Sequence, residues 1–350
     1  AGRRNVPLAA TPGLWRVQSW RIPRLLTEHL RTMSPPRRAF IGVSMYWVVA
    51  ARRAWPDVPV AYLFPCLLTN CLPFTWAGGR AGLWRRLDFA GIRRAEHAAF
   101  AAAHLTLTPT RHAKDEILGF HDMDPQRIVT CLYGCDPPGV SSFEFPASSF
   151  ELRGAETRNA KHAMRRKLGV GPDGFLALLV GLMDANKAFD WAIRELPATD
   201  PRVQLVLLGD GPQRADLERL ALRLGVAPRV RFPGVQSQVF PWYTAADCVV
   251  STSHYDTFPN VVLEAMYCDR PVVVPRHDPP HVYAGAAEIV SRHGGGRLYD
   301  RRRAGSLAGV LSELCADPGE TGALGERAGW IARRLFRWDE CVERVSALAG

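Results

Sequence analysis

The chain has 350 residues, 47% apolar and 22% charged, the balance of a folded globular protein and not of a disordered or fibrous one. Its 44 Lys and Arg against 34 Asp and Glu give a formal charge of +10. No run of 18 or more uncharged apolar residues occurs, so no membrane-spanning helix is expected. The start, Ala1-Gly-Arg-Arg-Asn5, leads into Pro, Thr and Trp without the apolar core of a secretory leader.

Short β-like apolar runs alternate with helical stretches through the front half. Residues 39–43 and 58–63 read as strands with a helix over 46–55 between them. A longer helix follows over 83–103, then a strand at 104–108, a helix at 110–120 and a strand at 127–132. Between 137 and about 160 the composition turns to Pro, Ser, Phe and Glu without a period, the pattern of a linker. Alternation then resumes, with strands at 175–181, 203–208, 230–232, 248–251 and 271–274 and helices that include 214–224 and 261–267. His293-Gly-Gly-Gly-Arg297 reads as a loop. Strands alternating with helices predict parallel sheets covered on both faces, here in two α/β domains in tandem. No repeat of 20–50 residues is visible.

The positive charge is concentrated in front: residues 1–170 hold 24 Lys and Arg against 12 Asp and Glu, whereas 171–350 hold 20 against 22. Such a basic half suits nucleic acid, an anionic lipid surface, a phosphorylated substrate or simply a solvated arginine-rich face, since 40 of the 44 basic residues are Arg. No recognition motif or aromatic–basic platform supports nucleic acid. The eight cysteines, at 66, 71, 131, 135, 248, 268, 315 and 341, lack the spacing of a zinc site and read as buried free thiols in a reducing cytoplasm.

The chemistry-bearing residues of the second half fall after its strands. Gly181-Leu-Met-Asp-Ala-Asn-Lys187 carries the only lysine beyond residue 167. A compact ammonium there serves as a point charge for a diphosphate, although an exposed lysine at a helix start is the plainer alternative. Gly209-Asp-Gly-Pro212 is a tight turn that opens a helix, and Gly234-Val235 closes another strand. No G-x-x-x-x-G-K-[ST] loop is present, and His293-Gly-Gly-Gly-Arg297 lacks the G-x-G-x-x-G spacing. In Ser251-Thr-Ser-His-Tyr-Asp-Thr-Phe-Pro-Asn-Val-Val-Leu-Glu264, a polar turn runs into a helix opened by Pro259. Asp256 and Glu264 then flank a helix N-terminus, whose N–H groups and positive dipole end favour phosphate. Carboxylates grip sugar hydroxyls well and phosphate poorly, so the pair points to a ligand with both. The competing reading is a capping Asp and a solvent-facing helical Glu.

In order and spacing these residues resemble the nucleotide-sugar-binding half of retaining GT-B glycosyltransferases of family 4, the glycosyl transferases group 1. That family carries a G-R-L-x-x-x-K-G-like turn, a G-x-G-P turn and an E-x7-E motif followed by A-x-x-x-x-x-P-V-V. The last stretch here is Glu264-Ala-Met-Tyr-Cys-Asp-Arg-Pro271-Val-Val273, with Asp256 in the first carboxylate's place. The likeness spans roughly 174–300. A weaker one covers 104–136 and ends in Tyr133-Gly-Cys-Asp136, and the region 334–338 is similar to the family's C-terminal helix. The family's Arg falls on Leu182, and Phe64-Pro65 stands where an early His is often found.

The resemblance implies an α/β GT-B fold, two Rossmann-like domains facing a cleft, with the first shortened at its N-terminus. It places an acceptor-side domain at 1–136, a linker at 137–165, a nucleotide-sugar-binding domain at 166–330 and a helix packing back on the first domain at 331–350. The implied activity is transfer of a sugar from a UDP- or GDP-sugar to a glycan, lipid-linked or small-molecule acceptor, with retention. Lys187, Asp256 and Glu264 would be catalytic. Gly181, Leu182, Gly211, Val235, Thr257, Phe258, Pro259 and Asn260 would bind the donor. No metal or other cofactor is expected, nor a nucleic-acid partner, and the location would be cytoplasmic with peripheral membrane contact through the basic first domain. A non-catalytic nucleotide-sugar-binding subunit with a degenerate GT-B fold is the alternative.

Overall fold

The computed structural model describes residues 14–36, 39–42, 44–64, 82–131, 155–336, 343 and 345–347. The chain divides into two compact units. Ala1–Thr108, Lys114–Cys131 and Cys341–Gly350 make the first, Pro109–Ala113 and Leu132–Glu340 the second.

The first unit opens with helix α1 (Leu14–Arg31), which the apolar pattern did not announce. Pro23 lies inside it, and the Thr27 hydroxyl donates to the Pro23 carbonyl at 2.6 Å. Then follow β1 (Phe40–Gly42), α2 (Met45–Ala54), β2 (Val60–Leu63), α3 (Gly82–Ala102), β3 (Leu105–Thr108), α4 (Arg111–Phe120) and β4 (Ile128–Thr130). The four strands pair in sequential order, all parallel, with Phe40 beside Val60, Ala61 beside Leu105 and Thr106 beside Ile128. Both β2 and β3 are buried along their whole length, as a sheet covered on two faces requires. The turn at 133–136 and most of the expected linker lie outside the described residues, but 155–165 form most of helix α5 (Ala155–Lys167) instead of linker.

The second unit continues with β5 (Phe175–Val180), α6 (Phe189–Glu195), β6 (Val203–Leu208), α7 (Arg214–Arg223), β7 (Val230–Gly234), α8 (Phe240–Ala245) and β8 (Cys248–Val250). Next come β9 (Tyr255–Asp256), α9 (Asn260–Tyr267), β10 (Val272–Pro275), β11 (Tyr283–Ala284), α10 (Gly285–His293), β12 (Gly296–Tyr299), α11 (Ser306–Ala316) and α12 (Pro318–Leu335). Six strands form one parallel sheet in the order β12-β10-β8-β5-β6-β7. Alternate residues of β5 face opposite ways, as the strand period demands. Leu176 and Leu178 enter a core with Tyr243, Val262, Met266 and Ile331. Phe175, Ala177 and Leu179 enter the other, with Ile193, Leu217 and Leu311. Helices therefore cover both faces, and the strands' carboxyl ends open together at one rim.

The loop expected over 293–297 is in part a strand: Gly294 and Gly295 turn with positive φ, whereas Gly296 and Arg297 open β12. The triple glycine at 294–296 runs into β12, where a Cβ on Gly296 would lie 2.1 Å from the Val272 carbonyl oxygen. The glycine allows a close strand approach and does not mark a break.

Candidate functional site

The first two strand ends of the second unit are locked back to back. The Gly181 N–H donates to the Leu208 carbonyl at 3.0 Å, and that of Met183 to Asp210 at 2.8 Å. The Gly209 N–H donates to Gly234 at 3.0 Å. At Gly209, φ is +134° and a Cβ would meet the Gly181 carbonyl oxygen at 2.0 Å, so only glycine fits. A Cβ on Gly211 would lie 2.6 Å from backbone atoms of Met183. Gly181, Leu182, Gly211 and Val235 thus share one rim, with Leu182 56% and Val235 75% exposed.

The turn from Gly181 brings Lys187 over its own start: the lysine stem lies 3.4 Å from where a Gly181 Cβ would be. The Asp184 carboxylate accepts from the Lys187 N–H at 2.9 Å. Beyond the stem, Lys187 Nζ pairs with Asp256 Oδ2 at 2.9 Å, both side chains about one-fifth to one-quarter exposed. Asp256 belongs to β9, which pairs with β11 in a two-stranded sheet beside the main one. Asp256 is not the cap of the helix past it: Pro259 is the N-cap of α9 and supplies no side-chain cap bond.

Asn186 staples the two segments. Its Oδ1 accepts from the Tyr255 N–H at 3.0 Å, its Nδ2 donates to the Tyr255 carbonyl at 3.1 Å, and its carbonyl accepts from the His254 N–H at 2.8 Å. The Thr252 hydroxyl adds a bond to the Lys187 carbonyl at 2.6 Å. Behind them, Arg301 donates to the Thr252 carbonyl at 2.9 Å and lies 5.0 Å from the centre of the Trp191 ring. Burial, then the Arg301 charge, holds His254 below the ordinary histidine pKa.

Glu264 sits on α9, half-buried, where the buried Tyr243 hydroxyl of α8 donates to its Oε2. A solvent-facing helical glutamate would have no such donor. Thr257, Phe258 and Pro259 are buried beneath the rim, and Asn260 is exposed. The structure joins Lys187 to Asp256 directly; Glu264 is held separately through Tyr243. Asn186, Thr252, Tyr243 and Arg301 carry no motif signal, although Asn186 adjoins Lys187 in sequence. Among the described residues, no group of three or more His, Cys, Asp or Glu is placed to hold a metal ion. No helix among them is long and apolar enough to cross a membrane. Cys131, Cys248, Cys268 and Cys315 are buried thiols, and the other four cysteines lie outside the described residues.

Chemically the rim offers an ammonium, two carboxylates and a helix N-terminus, which suits a ligand with phosphate and hydroxyl groups. Residues 174–317 match the family described as glycosyl transferases group 1. A D-inositol 3-phosphate glycosyltransferase of Xylanimonas cellulosilytica is 31% identical over 71% of this chain and 57% of its own length. The chain spans about half the length of the curated relatives it matches. Among solved structures, Anabaena HepE in complex with UDP superposes with a TM-score of 0.70 at 18% identity, covering 93% of this chain and 82% of that one. Sucrose-phosphate synthase of Thermosynechococcus elongatus gives 0.71 at 19%, over 98% and 80%. The fold is that of the GT-B glycosyltransferases.

Proposed function

The chain belongs, through residues 174–317, to the glycosyl transferases group 1 family, and from that footing we propose that it moves a sugar from a UDP- or GDP-sugar to an acceptor hydroxyl, with retention at the anomeric carbon. One observation carries the reading: the Lys187–Asp256 pair stands beside the N-terminus of α9, with Glu264 fixed by Tyr243.

In this reading Lys187 exchanges partners. A donor diphosphate takes the ammonium that Asp256 holds at 2.9 Å, and Asp256, released, accepts hydrogen bonds from the sugar to be transferred. The amides around Phe258–Asn260 and the helix dipole meet the other phosphate oxygens. Glu264 accepts from the ribose hydroxyls. The acceptor oxygen then bonds to the anomeric carbon as the carbon–oxygen bond to phosphate breaks. Those electrons stay on the leaving diphosphate, which takes the acceptor's proton from the same face. Lys187 and the amides stabilise the charge that grows there. The reading calls on no metal or other cofactor.

Gly181, Leu182, Gly211 and Val235 line the donor's path along the rim, and the first unit takes the acceptor. The structural neighbour HepE is described with UDP and with UDP-glucose, which supports a uridine donor. The relatives named for D-inositol 3-phosphate make a phosphorylated polyol the first small acceptor to assay, with glycans and lipid-linked acceptors beside it. The front-half excess of basic residues suits peripheral contact with an anionic membrane on the cytoplasmic side. One observation favours the non-catalytic alternative: an apolar, exposed Leu182 stands where the family has a cation.

The test is a donor panel. UDP- and GDP-sugars are screened for a raised melting temperature, and the stabilising ones are assayed for transfer or slow hydrolysis. Turnover that Lys187→Ala abolishes supports the transferase. Stabilisation without any turnover would leave only the binding subunit.

A further inference from the structure

We propose that the amino ends of the second unit's strands hold a second, separate anion site, built for a compact ligand bearing more than one phosphate group. A cavity of about 590 Å³ opens there, bordered by Phe175 at the start of β5, Asp247 before β8 and Pro271 before β10. Pockets of this size take small molecules. A six-residue strand such as β5 is about 20 Å long, so the cavity lies a full strand away from Gly181 and Lys187 on the same sheet.

Charge is the reason to expect an anion. Asp247 is the hub: its Oδ1 accepts from Lys161 Nζ at 3.2 Å, and its Oδ2 from Arg165 Nη1 at 2.7 Å and from the Leu176 N–H at 2.8 Å. One carboxylate thus serves two cations. Arg270 reaches the same cavity from another element and donates to the Ala246 and Cys268 carbonyls, at 3.2 and 3.1 Å. Neither Arg270 nor Arg166 forms an ion pair among the described residues. Two other lining charges are already matched, Asp269 by Arg333 at 2.7 Å and Arg202 by Asp200 at 2.9 Å. What remains is Lys161, Arg165, Arg166 and Arg270 against Asp247 and Asp173, two positive charges in excess.

A purely structural ion-pair cluster would balance; this one leaves two positive charges in excess, although Arg165 also donates to the Ala245 and Gly174 carbonyls, and it keeps Lys161 and Arg270 partly desolvated. Burial holds both Lys161 and Arg270 below their ordinary pKa, with Asp247 opposing in each case. An anion seated among them would relieve that cost. Guanidinium forks match phosphate oxygens two at a time, and an excess of two charges on two elements suits a ligand with at least two negative charges. The site does not depend on the donor reading, because it shares no residue with it.

Isothermal titration with inorganic tripolyphosphate tests it, with citrate as the carboxylate control and UDP as the donor-site probe. The full chain is compared with Lys161→Gln/Arg166→Gln and with Lys187→Ala. We expect tripolyphosphate binding that the double variant weakens about tenfold or more, the scale of losing charge-assisted hydrogen bonds, while its UDP binding is unchanged. Lys187→Ala should do the reverse, sparing tripolyphosphate at the cavity. Arg166 is exposed, so Arg166→Gln alone, expected to weaken binding about threefold, stands in if the double variant fails to fold. The proposal is overturned if tripolyphosphate does not bind, if the Lys161 and Arg166 variants bind it as wild type does, or if citrate binds equally well. Failure of UDP to bind, with tripolyphosphate still sensitive to Lys161 and Arg166, sinks the donor reading and leaves the cavity.

Discussion

The two ends of the second unit's sheet handle charge in opposite ways. At the carboxyl ends, Lys187 stands against Asp256, and backbone amides and glycine turns shape the rest of the rim. At the amino ends, Lys161 and Arg165 share Asp247, while Arg166 and Arg270 line the same cavity and form no ion pair among the described residues. A balanced pair is suited to exchange, because an incoming phosphate takes the lysine and leaves a carboxylate ready for a hydroxyl. An unbalanced cluster is suited to capture. Net charge therefore does not point to the proposed donor site: residues 171–350 hold 20 basic against 22 acidic residues, and the proposal turns on the placement of one lysine.

The difference can be broken most severely at Lys187. Lys187→Ala is expected to lower turnover by ~10²–10³, the loss seen when a preorganised charge stabiliser is removed, with the melting temperature little changed. Equal damage to tripolyphosphate capture at the amino ends would show that the two ends are not independent. Next in size is Gly285→Ala. A Cβ there would come within 1.6 Å of the Thr257 carbonyl oxygen, driving apart α10 and the buried floor of the donor rim. We expect about 3 kcal/mol of destabilisation, seen as a melting temperature lower by about 10 °C.

Tyr243→Phe sharpens the comparison at the carboxyl end alone. It removes the hydroxyl that orients Glu264 while keeping the ring in the core. An expected loss of about 1 kcal/mol, or roughly fivefold in UDP affinity, separates a positioning residue from plain packing. Glu264→Gln made together with Tyr243→Phe should then weaken UDP binding by less than the sum of the two, since both act on one contact.

The smallest effect concerns pH. Burial and Arg301 depress the His254 pKa in the folded chain, so neutral His254 contributes stability that is present above the unfolded-chain value, about 6.5. That contribution is lost as pH falls through the lower, folded value. Replacing His254 with Gln should flatten the fall of melting temperature between pH 7 and pH 5. An unchanged slope would mean that the fold does not depress the His254 pKa.

Most strands, and the turn and helix that carry Lys187 and Glu264, were legible because their signal is local. Runs such as Phe175–Val180 are apolar on both faces, Gly181 and Lys187 lie within one turn, and Asp256 and Glu264 lie on β9 and α9, which follow each other directly in the chain. The start of β12, Gly296 and Arg297, was read as loop because glycine also serves where two strands come very close. Tyr243 was missed because it meets Glu264 only through the packing of α8 on α9, 21 residues apart. The basic cavity was invisible for the same reason on a larger scale: Lys161 and Asp247 are 86 residues apart, and no spacing rule joins them.

The central claim is that Lys187 releases Asp256 to take a donor diphosphate. Isothermal titration of UDP-glucose and GDP-mannose into the wild type and Lys187→Ala tests it most directly. The account predicts one site for at least one of these donors, weakened about tenfold or more by Lys187→Ala, as expected for a lost charge-assisted contact. Binding of equal strength to both proteins, or no binding of either donor to the wild type, would contradict it.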